Sequence, residues 1–442
     1  MEPELGHLVQ GKRIAVVGGA MGGLAFALAL RKLSVERGVH PLPSIQVFER
    51  DVSAAERADR GYSLSVRADP GSMGLQVLQR LGRLEDCLKH NEPGQGMHIS
   101  RHNFRPLLQI RGGEVPGLPV PRIRITRANL RQALLDGMEP EMIHFSKTVV
   151  NAESLPGGTT RLSFEDGSSG VYDYVVVADG ANSRIRRALL PDQQLHYTGY
   201  IAVAGKTPPL KPLPPELLQG QWLMMGPKGV GAFVAVMNQA QAIYSLSFAA
   251  PKTRSAELQA ILNNPQTQKE FFDNELPKLV DGFVEPLPAL IRATDPSSLW
   301  AIAANDLMPF ANDLPGVVFI GDAWHAMSPF AGNGANMAMR DGLELAEELL
   351  NPAHASLANA QEAFSERAAP RSRDAIKDSH RNLGMVHSQG WRQLVTAALI
   401  WVTSRIIDIV LWVKGSQGLG TASMMRLFRA AQDGSGSTKR VA

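Results

Sequence analysis

Residues 14–23 read Ile-Ala-Val-Val-Gly-Gly-Ala-Met-Gly-Gly, and this stretch decides the fold. Its apolar, β-branched start is typical of a buried parallel strand, and the Leu- and Ala-rich residues 24–33 predict a helix after the glycines. Gly18 permits a tight turn, and Gly23 allows the helix to pack closely on the strand. The free N–H groups and the dipole of the helix N-terminus favour an anion. The stretch therefore predicts a βαβ unit that binds the pyrophosphate of a dinucleotide.

Two positions near this turn bear on its ligand. Ala20 stands where the usual pattern has its middle glycine, and one methyl group is tolerated if the phosphate shifts slightly. Glu49 ends the second predicted strand, residues 45–50. A carboxylate there accepts hydrogen bonds from both ribose hydroxyls and repels a 2′-phosphate, which fits the adenosine of FAD. An ordinary α/β turn without a ligand is the alternative for this segment taken alone.

Two later motifs extend the pattern. Residues 173–180 read Asp-Tyr-Val-Val-Val-Ala-Asp-Gly, and residues 317–325 read Val-Val-Phe-Ile-Gly-Asp-Ala-Trp-His. A loop, Ser-Pro-Phe-Ala-Gly-Asn-Gly-Ala-Asn, follows at residues 328–336, and its glycines let the backbone approach a ligand closely. Each motif ends an apolar, β-like run. Three such motifs in this order predict one flavin-binding fold.

Together, the three motifs resemble those of class A flavoprotein monooxygenases, the family of p-hydroxybenzoate hydroxylase, salicylate hydroxylase and the tetracycline-inactivating enzymes. The resemblance runs from about Lys12 to about Ala369. It implies that Asp179 lies close to both FAD and the pyridine nucleotide, and that Asp322 binds the ribityl and pyrophosphate region. It also implies that the backbone N–H groups of Gly334, Ala335 and Asn336 stabilise negative charge near the flavin N1–C2 carbonyl.

Two shorter segments are similar to the same family. Residues 127–134 match its Arg-x-x-Leu-x-x-x-Leu helix, so Arg127 is a candidate FAD contact. Residues 61–64, Gly-Tyr-Ser-Leu, resemble the strand that lies against the flavin, which makes Tyr62 and Ser63 candidates. The alternatives are a solvated arginine at a helix start for Arg127 and a helix N-cap without a ligand for Asp322.

The resemblance implies an activity. NADPH or NADH reduces FAD, O2 then forms a C4a-hydroperoxyflavin, and its terminal oxygen passes to an electron-rich aromatic ring or alkene. The cofactor carries this chemistry, which accounts for a sequence with no recognisable nucleophile or metal cluster. No catalytic residue is assigned. Two alternatives stay open: a flavoprotein reductase of isoprenoid double bonds, and a non-catalytic, GDI-like binding protein on the same scaffold.

The predicted fold class is α/β, with a Rossmann-like FAD-binding domain interleaved with an antiparallel-sheet substrate domain, plus C-terminal helices. The predicted ranges are 1–85, 115–195 and 300–380 for the FAD-binding domain, 90–114 and 196–299 for the substrate domain, 381–430 for a C-terminal helical segment, and 431–442 for a disordered tail. Alternating and apolar runs within residues 221–248 predict antiparallel strands that roof the flavin.

The substrate half also departs from the family. Residues 197–205 are similar to a segment that often carries an arginine before its last glycine, and here Ala204 occupies that place. We therefore expect a neutral, sizeable aromatic or terpenoid-like substrate in preference to a small benzoate. Tyr200 is either a pocket residue or, the favoured reading, a buried sheet tyrosine. His98, His102 and His196 are considered as proton acceptors for a phenol and are expected to be structural or exposed. His325, in the flavin loop, is expected to pack and to orient the backbone.

Composition limits the partners and the location. The 442 residues carry a net charge of only +3 and no Lys/Arg-rich run, which gives no case for nucleic-acid binding. The single cysteine, Cys87, excludes an intramolecular disulfide, and the polar start is unlike a secretory signal. We expect a cytoplasmic enzyme whose partners are a small-molecule substrate and O2, with no metal.

The apolar segment 394–413 has three readings: a helix packed on the protein or on a twin subunit, an in-plane membrane anchor, or a tilted membrane span. Arg405 and Asp408 interrupt it at a spacing that lets them pair on a helix. The longest uncharged run, 393–404, is short for a bilayer span, so packing is favoured. Peripheral membrane association and a homodimer both stay open.

Overall fold

The computed structural model of the chain describes residues 8–56, 62–94, 96–110, 112–238 and 240–414, with side chains described as far as residue 410. Gly61, residues 415–430 of the predicted helical segment and the predicted tail 431–442 lie outside the described residues.

The strands are β1 Arg13–Val17, β2 Ser44–Phe48, β3 Ser63–Arg67, β4 Met97–Arg101, β5 Pro106–Ile110, β6 Arg122–Thr126, β7 Ile143–His144, β8 Val149–Ser154, β9 Thr160–Phe164, β10 Ser169–Tyr172, β11 Tyr174–Val177, β12 His196–Lys206, β13 Gln221–Met225, β14 Gly231–Asn238, β15 Gln241–Ala249, β16 Trp300–Asp306 and β17 Val317–Phe319. The helices are α1 Met21–Glu36, α2 Gly74–Leu81, α3 Leu84–Lys89, α4 Arg127–Leu135, α5 Arg184–Leu189, α6 Pro215–Gln219, α7 Lys252–Asn263, α8 Pro265–Asn274, α9 Leu276–Val280, α10 Leu287–Arg292, α11 Asp322–His325, α12 Gly334–Leu349, α13 Leu357–Val386 and α14 Gly390–Lys414.

A five-stranded parallel sheet, in the order β17-β11-β1-β2-β7, carries the N-terminal glycine turn. Gly18 has φ +109°, and a Cβ there would stand 2.4 Å from the carbonyl oxygen of Ala178. A Cβ on Gly23 would stand 2.1 Å from the carbonyl oxygen of Gly18. Only glycine fits either place, so the roles expected from the sequence, a tight turn and close packing of helix on strand, are confirmed.

The backbones of helices α1 and α12 approach each other closely, with no side chain between them at the glycines. A Cβ on Gly342 of α12 would lie 2.6 Å from the backbone nitrogen of Phe26 and 2.7 Å from the carbonyl oxygen of Gly22. From the other side, a Cβ on Gly22 would lie 3.2 Å from the carbonyl oxygen of Ala338. Contacts this close fix the separation of the two helices and therefore the relative position of their N-termini.

A seven-stranded sheet, in the order β16-β12-β15-β14-β13-β4-β5, forms the predicted roof. It is antiparallel except for the parallel pair β13 and β4. One face packs in a core with α7, α8, α9 and α10. Strand β16 lies in this sheet although residues 300–306 fall in the range predicted for the FAD-binding domain. The division into domains stays a prediction.

Helix α14 follows the long α13 and lies along the edge of the roof. Its buried side chains include Ala397, Ile400 and Ile407, which pack with Leu108 of β5 and Leu223 of β13. The opposite side of α14 carries exposed apolar residues. The predicted pairing of Arg405 with Asp408 is present, with 2.9 Å between nitrogen and oxygen.

Candidate FAD-binding site

The three glycine motifs meet at one edge of the parallel sheet. Val17 pairs with Val177, and Val177 pairs with Phe319, so the turns that follow β1, β11 and β17 are neighbours. In open α/β sheets, ligands bind in the crevice outside these carboxyl ends. The structure therefore brings the turn at Gly18 together with Asp179 and Asp322, as the motifs predicted.

Asp322 and Tyr62 are accessible side chains that lie close to each other beside these turns. The Asp322 side chain is solvent-exposed, yet surrounding protein raises the pKa of its carboxyl, with His325 and Arg127 acting in the opposite direction. Tyr62 is 43% exposed, and desolvation followed by the charge of Asp322 raises its pKa. Arg127 lowers both pKa values, and its backbone N–H donates to the Tyr62 carbonyl at 3.1 Å.

Asp179 is half-buried at the end of β11. Its Oδ2 accepts the backbone N–H of Arg184 at 3.0 Å, whereas no group in the described part of the chain bonds its Oδ1. Burial raises the pKa of this carboxyl, although hydrogen bonds from Ser183 and from α5 oppose the shift. At Gly180, φ is +85° and the place of a Cβ is open space. An acceptor oxygen without a protein partner beside open backbone suits a bound ligand.

Glu49 is held beside the glycine turn. Its two carboxylate oxygens accept the N–H groups of Gly19 at 2.9 Å and Asp51 at 3.0 Å. Arg131 lies 3.5 Å from the same carboxylate and donates to the Gly19 carbonyl at 2.8 Å and to Asp51 at 3.2 Å. Arg131 was not a candidate from the sequence, although it lies one helical turn after Arg127 in the same motif. Ala20 has an extended backbone and is the N-cap of α1.

Gly334, Ala335 and Asn336 form the first turn of α12. This helix and α1 both begin without a side-chain cap and without an acidic residue in the first turn. The Asn336 side chain is buried, donates to the Ser65 carbonyl at 2.9 Å and accepts the Arg67 N–H at 3.0 Å. It therefore ties α12 to β3, and a contact between the backbone of this turn and the flavin stays a prediction.

The Ser63 hydroxyl has partners other than a cofactor. It donates to the Val236 carbonyl of β14 at 2.9 Å and accepts from the buried guanidinium of Arg124. Arg124 also donates to Gln221 at 2.7 Å, so these side chains join the β3–β6 ribbon to the roof. A role for Ser63 in FAD binding stays a prediction. Because its hydroxyl is already bonded within the protein, its backbone would have to make the contact.

A buried ionic network lies behind the late glycine motif. Asp341 accepts the Gly321 N–H at 2.8 Å and contacts His325 Nε2 at 2.5 Å, and Arg371 bonds its second oxygen. Burial works to raise the pKa of Asp341, but His325, Arg371 and the Gly321 N–H outweigh it and leave the pKa lowered. The network holds the turn that presents Asp322, and it gives His325 the orienting role expected from the sequence.

The other sequence candidates lie in the seven-stranded sheet and its turns. His98 is buried, stacks on Trp222 at 4.4 Å and faces the helical side of the roof. His102 is half-buried and His196 is exposed at the start of β12. Tyr200 is half-buried, and its ring lies 4.2 Å from that of His387, which was not a candidate from the sequence. Among the described residues, no group of His, Cys, Asp and Glu is arranged to hold a metal ion.

These residues fit FAD. Two uncapped helix N-termini converge on a turn where a Cβ would collide with backbone, which suits a pyrophosphate and a flavin carbonyl. The unbonded oxygen of Asp179 and the accessible carboxylate of Asp322 supply acceptors for ribityl and ribose hydroxyls. The individual contacts remain predictions.

The comparisons with known proteins agree with this geometry. The family model described as FAD binding domain matches residues 12–379. Monooxygenase cfoF of Aspergillus candidus is 29% identical over 395 residues, covering 86% of this chain and 93% of its own. The 3-amino-4-hydroxybenzoate 2-monooxygenase PtmB3 of Streptomyces platensis is 26% identical over 424 residues, covering 93% and 98%. The crystal structure of Klebsiella pneumoniae HpxO, complexed with FAD and uric acid, matches with a TM-score of 0.71 at 20% identity over 91% of this chain and 96% of that one.

The chain therefore belongs to the FAD-binding domain family. Within it, the chain is an FAD-dependent monooxygenase of class A, as the motifs indicated, and NAD(P)H is the electron donor typical of the family.

Proposed function

We propose that this monooxygenase hydroxylates or epoxidises a neutral, electron-rich aromatic or terpenoid-like molecule. Reduced FAD, when bound, supplies the activation of O2. The chain's own residues hold the cofactor at the edge of the parallel sheet, keep water from the reacting atoms and aim the substrate from the roof. No residue of the chain is assigned a catalytic proton transfer.

The observation that carries this proposal is the apolar character of the roof's inner face. Ala235, Met237 and Ile243 form a buried cluster there, and Phe233 and Trp300 pack against it. Ala204, on the same face, is 2% exposed and replaces the arginine that relatives often carry. A carboxylate buried against such a surface would lose its hydration without gaining a cationic partner. A neutral ring system would instead gain contact area.

The first experiment is a substrate panel scored by stimulated NADPH oxidation. Neutral phenols and terpenoid alkenes should stimulate oxidation more than salicylate and p-hydroxybenzoate do. Strong selectivity for a small carboxylate would show that the substrate class is wrong. The same panel run with NADH identifies the preferred donor.

The second experiment decides the reaction type. Product formed under 18O2 should carry one labelled oxygen atom. Turnover under strictly anaerobic conditions, with saturation of a double bond, would instead support the isoprenoid reductase. Stable FAD binding without turnover of any panel member would favour the non-catalytic, GDI-like reading.

We also propose that the enzyme works in the cytoplasm with α14 packed on the protein. Among the described residues, Gly390–Val410 is the one helical segment long and apolar enough to cross a membrane, and 28% of it is buried. Its buried face contacts the roof, and Arg405 and Asp408 would be costly at the centre of a bilayer. Attachment to a membrane surface and pairing of two subunits through the exposed face are the alternatives.

A further inference from the structure

Helix α14 carries two stripes of residues with the same spacing, one buried and one exposed. The buried stripe faces the edge of the roof and consists of Gln393, Ala397, Ile400, Ser404 and Ile407. The exposed stripe repeats the same steps of four and three residues and consists of Val395, Leu399, Val402, Ile406 and Ile409. The exposed stripe follows the buried one by two residues, which is about 200° around a helix. It therefore lies on the opposite face of α14.

The exposed stripe is more apolar than the buried one. All its members are Val, Leu or Ile, and their exposed fractions run from 40% at Leu399 to 61% at Ile409. The buried stripe, by contrast, includes Ser404 and also Gln393, whose Nε2 donates to the Gly226 carbonyl at 2.8 Å. In the part of the chain that the structure describes, eight of the fifteen exposed large apolar residues lie on α14. Such a concentration marks an interaction surface.

The exposed face of α14 is large enough for a specific contact between two protein chains. Beside the exposed stripe it includes the side chains of Trp391, Leu394 and Trp401. These eight side chains are each about half exposed and together present about 500 Å² of apolar surface. Two such faces would bury about 1,000 Å², where the range of specific protein interfaces begins. Four members of the stripe are β-branched, so packing them costs little rotamer freedom.

The spacing of the exposed stripe suits another helix. Alternating steps of four and three residues keep side chains in line along a helix, and from residue 395 to 409 this line is about 21 Å long. A straight line of side chains packs well against an identical line, because the ridges of one helix fill the grooves of the other. A bilayer has no matching requirement, since lipid accommodates apolar side chains at any spacing.

The charges on α14 also favour a protein partner over a lipid surface. Arg405 forms its ion pair with Asp408, and the guanidinium carbon of Arg392 lies 5.8 Å from the centre of the Trp391 ring. Residues 390–410 contain two arginines and one aspartate, a net charge of +1. Helices that lie on anionic membranes are instead rich in Lys and Arg. The exposed face therefore offers little electrostatic attraction to lipid headgroups.

We propose that the exposed face of α14 binds the same face of a second copy of this chain and forms a homodimer with two-fold symmetry. In a two-fold contact the same patch serves both subunits, so each exposed stripe packs on its twin. The buried stripes keep the two helices attached to their own roofs. The inference concerns assembly and is independent of the substrate class.

The test uses the full-length, FAD-loaded enzyme purified without detergent. Light scattering after size-exclusion chromatography should give twice the mass of one chain. Val402→Lys, at the middle of the exposed stripe, places two like charges in the contact and should raise the dimer dissociation constant at least about 100-fold. Val35→Lys is the matched control, because Val35 is an exposed valine on α1, and it should stay dimeric. Both variants should keep the FAD content of the wild type.

Cross-linking locates the contact by a second measurement. The native cysteine, Cys87, is buried, so a short bismaleimide should react only with an introduced, exposed cysteine. The five residues of the exposed stripe are replaced by cysteine one at a time. Cross-linked pairs of chains should form along the whole stripe if the two helices run parallel, and near one position if they run antiparallel. Val35→Cys should give no cross-linked pair.

The inference is overturned if the wild type has the mass of one chain, if Val402→Lys leaves the dimer intact, or if no cysteine in the stripe cross-links two chains. A monomer that floats with phosphatidylcholine–phosphatidylglycerol vesicles would show that a lipid surface covers the face instead. A monomer that dimerises after removal of residues 415–442 would show that the chain's own C-terminal segment covers it. Failure of the monooxygenase proposal looks different, because a dimer would then form while no 18O from 18O2 enters any product.

Discussion

Replacing Gly342 by alanine tests whether the contact between α1 and α12 positions the cofactor site. The new Cβ would stand 2.6 and 2.7 Å from backbone atoms of α1, and a backbone atom cannot move aside as a side chain can. Overpacking of this kind costs about 1–3 kcal/mol, and the severity of the contact favours the upper end of that range. Alanine in place of glycine inside a helix stabilises the helix by about 1 kcal/mol. The expected net loss in the free energy of unfolding is about 2 kcal/mol.

The matched control is Gly384→Ala in α13, because a Cβ there has no atom within 4 Å. It should gain up to about 1 kcal/mol from helix propensity alone. Thermal unfolding followed by circular dichroism, at one scan rate for all samples, should move in opposite directions for the two variants. Gly342→Ala should also release FAD at a lower temperature than the wild type. If Gly342→Ala is stabilised as much as Gly384→Ala, α1 and α12 do not constrain each other.

Four further outcomes are expected. Asp322→Ala should lower the FAD recovered per chain more than Arg127→Ala, measured after denaturation; equal losses would contradict the assignment of Asp322 to the cofactor. Burial raises the pKa of Cys87 to about 12, so the native thiol should stay unmodified by iodoacetamide at pH 8 and react once urea unfolds the chain. Burial lowers the pKa of His387 below 6.5, so the neutral ring stabilises the fold and this stability is lost as pH falls below that value. His387→Gln should therefore reduce the loss of unfolding free energy between pH 6.5 and acid pH. An unchanged pH dependence would show that His387 does not cause this loss. Removing residues 391–442 should expose the packed edge of the roof and reduce solubility, whereas release of active, FAD-loaded enzyme from a membrane fraction would establish an anchor.

The cofactor-binding half of the molecule was predictable because the residues that determine its turns lie close together in the sequence. A Cβ on Gly18 or Gly23 would collide with nearby backbone atoms, so both positions require glycine and their spacing alone predicted the turn. The meeting of Asp179 with Asp322 followed from the rule that parallel strands present their carboxyl ends at one edge. The role of Arg131 was not evident from its motif, because this role depends on side chains that folding brings near it.

The roof was predictable only as a set of strands. Alternation predicted β13, β14 and β15, but it does not reveal that Ala204 lies between Trp300 and Ser245, because that depends on registers between distant segments. The protein partners of the Ser63 hydroxyl could not be predicted for a related reason. A serine beside a flavin strand suggests a ligand contact, yet Arg124 and β14 reach it from segments far along the chain.

The strand order of the parallel sheet has a consequence for synthesis of the enzyme. Strand β1 pairs with β11, and β11 with β17, so the cofactor crevice is complete only when the segment from β17 to the start of α12 has left the ribosome. Strand β1 pairs early with β2, but its other edge must wait for β11, and the free edge of β11 must wait for β17. Nascent chains should therefore depend on chaperones, and fragments that stop before residue 336 should neither retain flavin nor serve as a separable cofactor module in engineered fusions.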